Sequence, residues 1–102
     1  EAQATSLGLA GELVVSEGRV RVTLRSSQAL PDRLSLRFAH PARASEDRVV
    51  FLARGADSAY EAPVPALPPA LWRAIVETPD WRISASYDPR VAAPARLEPG
   101  VR

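Results

Sequence analysis

In "RVRVTLR", Arg19 to Arg25, valine or leucine falls on every second residue, and arginine or threonine fills the rest. A helix would scatter those side chains around its axis. A strand sends them to opposite faces, one apolar and one charged. The same period of two recurs upstream, where Leu7, Leu9, Gly11, Leu13 and Val15 share a face. "SEG" joins the two runs, and two alternating runs about a short glycine-containing turn make a β-hairpin. Each strand of this kind must bury its apolar face against another element.

The pattern continues. "LSLRF" turns Leu34, Leu36 and Phe38 one way and Ser35 and Arg37 the other. "RVVFLAR" is β-branched and aromatic but alternates poorly. "AYEAPVP" is a short strand carrying Tyr60, and Pro63 and Pro65 confine it to a sheet edge or to a strand end. "WRAIVE" places Trp72, Ala74 and Val76 together, and "WRISASY" does the same for Trp81, Ile83, Ala85 and Tyr87. The tail, 88–102, holds three of the ten prolines. It is expected to fray or to carry one short strand near Arg96–Glu98. About seven strands at intervals of about ten to twelve residues predict an all-β fold, an immunoglobulin-like antiparallel β-sandwich without the cysteine pair of antibody domains. The expected organisation is a linker over 1–6, the β-domain over 7–88 and a C-terminal tail over 89–102.

Composition narrows function by exclusion. A chain of 102 residues with 46% hydrophobic and 25% charged residues is one globular domain. All thirteen basic residues are arginine, yet the net charge is only +1. Arginines dispersed among acids make a solvated surface, without the basic stripe that nucleic acid needs. Cysteine and methionine are absent, so there is no disulfide, no thiolate nucleophile and none of the sulfur ligands that copper(I) prefers.

Catalytic chemistry is sparse. The only histidine, His40, is followed by Pro41, and no Gly-x-Ser-x-Gly turn or phosphate-binding glycine loop occurs. A metal site would have to fold Glu46 or Asp47 back beside His40, and one histidine with carboxylates is a poor zinc set. The structural alternative is preferred. Pro41 holds His40 extended at the end of its strand, and Asp47 lies close enough to pair with it or to close the 41–48 loop. Glu46 and Asp47 otherwise form a solvated turn. Trp72, Trp81, Tyr60 and Tyr87 could make an aromatic platform for a sugar or peptide, but their inward phases favour the core. Neither a catalytic residue nor a cofactor is assigned.

The order of these features resembles the soluble domain of the FixH (CcoH) family. An apolar strand ends in His40-Pro41, Asp47 follows, and Tyr60, Trp72, Trp81 and Arg82 mark later strands. The resemblance extends from about Thr5 to Tyr87. Ala70 and Ala59 stand where the family usually carries glycine. The resemblance implies a non-enzymatic periplasmic domain on a bacterial inner-membrane protein with a single N-terminal anchor helix, which makes 1–6 a juxtamembrane remnant. It implies a role in assembly or maturation of cbb(3)-type cytochrome c oxidase, with oxidase subunits or associated assembly proteins as partners. Two alternatives are a periplasmic copper-handling module acting through His40 and a small carbohydrate- or peptide-binding sandwich.

Overall fold

The computed structural model describes residues 8–27, 29–55, 57–91 and 93–99. Leu7 and the 1–6 segment lie outside the described residues. Eight strands follow in order: β1 (Ala10–Ser16), β2 (Arg19–Arg25), β3 (Arg33–Ala39), β4 (Arg48–Arg54), β5 (Tyr60–Pro63), β6 (Trp72–Glu77), β7 (Arg82–Tyr87) and β8 (Ala95–Pro99). One 3-10 turn, Ala44–Glu46, separates β3 from β4. No helix among the described residues is long and apolar enough to cross a membrane.

All pairings are antiparallel, and the strands close into a barrel in the order β1-β2-β5-β4-β3-β6-β7-β8. The all-β expectation is met, but the seven-strand immunoglobulin-like sandwich is not. A sandwich needs two sheets with free edges, and two segments remove those edges here. β8, from the proline-rich tail, pairs with β1 on one side and β7 on the other. β5 lies between β2 and β4 instead of at an edge. Pro63 is its last residue, so the strand-end half of the expectation for that proline holds.

The inward face of each strand fills the interior. Leu13, Val20, Val22, Leu36, Phe38, Tyr60, Trp72, Val76, Ile83 and Leu97 are all fully buried. The β1–β2 hairpin turns at Glu17-Gly18, both with positive φ (53° and 77°). Ser16 therefore pairs directly with Arg19, as a two-residue turn of the primed kind requires.

Gly11 occupies an inward position where β1 and β2 approach closely. A Cβ there would lie 2.3 Å from the Thr23 carbonyl oxygen and 2.7 Å from Leu24 Cδ2. The Thr23 oxygen belongs to the ladder backbone and cannot swing away. Gly11→Ala should therefore lower the unfolding free energy by about 2 kcal/mol, as overpacking does elsewhere. A urea melt checks this, and an unchanged midpoint would mean that the two strands separate freely.

β5 owes its short ladder with β4 to its prolines. Val64 N–H donates to the Gly18 carbonyl at 2.9 Å, so residues 60, 62 and 64 direct their backbone groups to β2. Glu61, Pro63 and Pro65 then face β4. Ala53 opposes Glu61, and extending that register sets Phe51 against Pro63 and Val49 against Pro65. Neither proline has an N–H to give. The β4–β5 ladder ends at Ala53, while β5 continues along β2 to Pro63.

Candidate functional site

The corner between β3 and β4 forms because Pro41 stops β3 and the eight-residue excursion 40–47 must return the chain as β4. Asp47 closes it. Its Oδ1 accepts the His40 backbone N–H at 2.9 Å, and its Oδ2 lies 3.6 Å from Arg37 Nη1. The imidazole does not bond to Asp47. Its Nδ1 accepts the backbone N–H groups of Ala42 and Arg43, each at 3.1 Å. A nitrogen that accepts two N–H groups carries no proton, so in the neutral ring the proton sits on Nε2. The ring stands edge-on to Trp72, with centroids 4.9 Å apart. The Trp72 indole N–H in turn donates to the Pro68 carbonyl at 2.9 Å. His40, Pro41, Asp47 and Trp72 thus come together at one end of the barrel and tie two loops, 40–47 and 64–71, to one buried indole.

Tyr87, which opposes Trp72, lies at the same end, whereas Tyr60, Trp81 and Arg82 lie at the opposite end. The Tyr60 hydroxyl donates to the Pro31 carbonyl. Trp81 is buried where β7 begins, and the Thr78–Trp81 turn is held by its own backbone and by the Thr78 hydroxyl. Arg82 is half-exposed and reaches Glu77 Oε2 at 3.5 Å. The residues of the family pattern are therefore split between two ends of the barrel. They do not converge on one pocket.

Arg54 was not singled out from the sequence. It is only partly exposed, its guanidinium lies 5.8 Å from the Tyr60 ring centroid, and it donates to the carbonyls of Leu30 and Pro31. Asp32 stands 3.5 Å away. The one signal for it is position: the even-numbered residues of β4 point inward, and Arg54 is the last of them.

Chemically this arrangement holds loops. Trp72 (1% exposed) and Trp81 (7% exposed) present no open ring face on which a sugar could stack. The His40 nitrogen nearest the loop and both Asp47 oxygens are already engaged. Among the described residues no group of three or more histidine, aspartate or glutamate side chains is placed to hold a metal ion. An open groove of about 510 Å³ lies beside Trp81, lined by Pro31, Leu34, Phe51, Pro79 and Asp80 among others.

Several surface charges are paired. Arg21 bridges Asp57 and Glu61, and its hydrogen bond to Asp57 holds that carboxyl below the usual carboxylate range. Arg90 does the same for Asp88.

Burial pushes the phenols of Tyr60 and Tyr87 above the ordinary value of 10.0. For Tyr60 the nearby Arg54 works against that shift and Asp32 adds to it. For Tyr87 the Asp88 charge adds to it. A phenol with a raised folded value binds its proton more tightly when folded than when unfolded. The stability it confers is complete below about pH 10 and is lost as the pH rises through the folded value. Stability should therefore be flat from neutrality toward pH 10 and fall above it, and Tyr60→Phe with Tyr87→Phe should flatten that fall. Chemical denaturation across the alkaline range checks the sign.

A family model described as FixH matches residues 1–88. No curated protein and no solved structure matches the chain.

Proposed function

The chain belongs to the FixH family, and from that membership we propose that it is a non-enzymatic domain that assists assembly or maturation of a cbb(3)-type cytochrome c oxidase. It acts by binding oxidase subunits or associated assembly proteins. The domain lies in the periplasm, carried by one helix that anchors it in the bacterial inner membrane. The family match over residues 1–88 is the observation that carries this reading. The chemistry of the barrel supports it. The lone histidine, the aspartate nearest to it and the two tryptophans are spent on loop closure and core, which favours recognition through the outer surface.

The test is genetic and biochemical. Cells deprived of the gene should retain oxidase transcripts but lose assembled, haem-staining oxidase from their membranes. The membrane-anchored protein should co-purify with an oxidase subunit or assembly partner. Wild-type oxidase levels in the deletion strain would overturn the proposal.

A further inference from the structure

The outer face of β3 carries a recess with a projection beside it. Odd-numbered residues of β3, β4 and β6 face outward, and Ser35 stands between Phe51 on β4 and Glu77 on β6. A serine between two larger side chains leaves a dip. The Glu77 carboxylate widens it by reaching the other way, to Arg82 on β7 at 3.5 Å. Pro31, in the loop before β3, and Pro79, in the β6–β7 turn, complete the walls of the groove beside Trp81, which holds about 510 Å³. A cavity of about 150 Å³ already accepts a benzene ring, so this groove has room for a large apolar side chain.

Phe51 is the projection. It lines the groove on the β4 side, yet it is 76% exposed, the most of any large apolar side chain among the described residues. Val49, two residues along the same face, is 54% exposed. Single exposed apolar residues are ordinary, but a contiguous apolar patch with a polar rim marks a docking surface.

The charges of the rim have the same character. Arg33 and Asp80 both line the groove, and both are exposed. Among the described residues neither forms an ion pair, with the other or with a third group. One face thus offers a projection and a recess, an unpaired cation and an unpaired anion. A surface fitted to a different protein needs only that protein's complement. A surface that is its own complement under a two-fold rotation is what an isologous interface requires. With a net charge of +1, two copies also approach without strong repulsion.

We propose that this face is the interface of a two-fold homodimer. Phe51 of each copy enters the groove of the other, between Pro31 and Pro79, and Arg33 of each copy meets Asp80 of the other. The dimer goes beyond the oxidase reading and does not rest on it.

Sedimentation equilibrium on the 102-residue chain, at about 0.15 M salt to damp long-range attraction, tests the proposal. The chain should pass from monomer to dimer between about 10 and 500 μM, the range of a small interface. A chain that stays monomeric to about 1 mM overturns the inference and leaves the groove to a different protein. Phe51→Lys should keep the melting temperature, because the side chain is exposed, and weaken dimerisation at least about tenfold. Val91→Lys, at an exposed apolar residue outside the groove, should change neither. Undiminished dimerisation by Phe51→Lys overturns the inference. Should Phe51→Lys lower the melting temperature, Phe51→Thr, which suits an exposed strand position, supplies the same comparison.

The charges give the sharper result. Arg33→Asp alone sets acid against acid across the interface, and Asp80→Arg alone sets arginine against arginine. Each should weaken self-association about tenfold or more. Mixed in equal amounts, one variant brings two acids and the other two arginines, so both contacts return and a heterodimer should form with at least the wild-type affinity. Failure of the mixture to associate means that Arg33 and Asp80 do not meet between copies and overturns the inference. Wild-type oxidase levels in the deletion strain would leave the dimer standing and remove the oxidase reading alone.

Discussion

Replacing Trp72 with alanine should lower the unfolding free energy by about 3–5 kcal/mol. That is a large share of the roughly 5–15 kcal/mol available to a domain of this size. Trp72 is the largest of the fully buried side chains. It begins β6, opposes Tyr87 across the β6–β7 ladder, supports the His40 ring and anchors the proline-rich 64–71 loop through Pro68. Alanine would leave a cavity with loops on two sides and no side chain able to fill it. Trp72→Phe separates the contributions. It keeps most of the volume, loses the bond to Pro68, and should cost about 1–2 kcal/mol. Denaturation followed through the remaining Trp81 gives both numbers. If Trp72→Ala costs no more than Trp72→Phe, the volume of the indole contributes nothing and Trp72 does not pack that end of the barrel.

The second large effect belongs to the His40–Asp47 corner. Asp47→Ala strips the acceptor from the His40 N–H and a counter-charge from Arg37, and should cost about 1–2 kcal/mol. His40→Ala releases the Ala42 and Arg43 N–H groups and the edge contact with Trp72, at a similar cost. Once either end of the loop is free, the other bond has less left to hold. The double variant should therefore cost less than the sum, about 3 kcal/mol at most, as coupled neighbours do. Asp47→Asn, which keeps an acceptor oxygen, should recover part of the loss. Strict additivity in this cycle would make the two residues independent supports and remove the account of the corner as one closed loop.

What could be read before the structure follows from where the information resides. β2, β3 and β7 carry apolar residues on one face and polar ones on the other, and β1 and β6 depart from this only at Val14 and Ile75, so their inward sets were largely legible from the alternation. β4 is apolar on both faces, and nothing in "RVVFLAR" says that Leu52 goes in and Phe51 out. β8 contains one fully buried side chain, Leu97, and a single residue has no period. Yet β8 is the strand that turns a sandwich pattern into a barrel. Alternation is the same in both architectures, and only the pairing of distant strands tells them apart.

The corner was legible for a similar reason in reverse. Pro41 fixes where β3 stops, and Asp47 lies at the distance a short return needs. That the imidazole accepts from Ala42 and Arg43 instead of from Asp47 depends on the turn the loop adopts, which no spacing encodes. The same holds for Tyr60, whose bond to Pro31 joins segments twenty-nine residues apart.

Closure of the barrel by β8 has a kinetic consequence. β1 forms its hairpin with β2 as soon as both exist, through local contacts across Glu17-Gly18. Its other edge has to wait for Ala95, Arg96 and Leu97, in the last of the eight described strands to be synthesised. Contacts of such long sequence separation form slowly, and until they form the β1 edge remains unpaired and open to another chain. Folding should therefore show a fast phase for the hairpins and a slow phase for closure, with Leu97→Ala slowing only the second. In the cell, the hazard for this protein lies in the interval between release of β7 and arrival of β8.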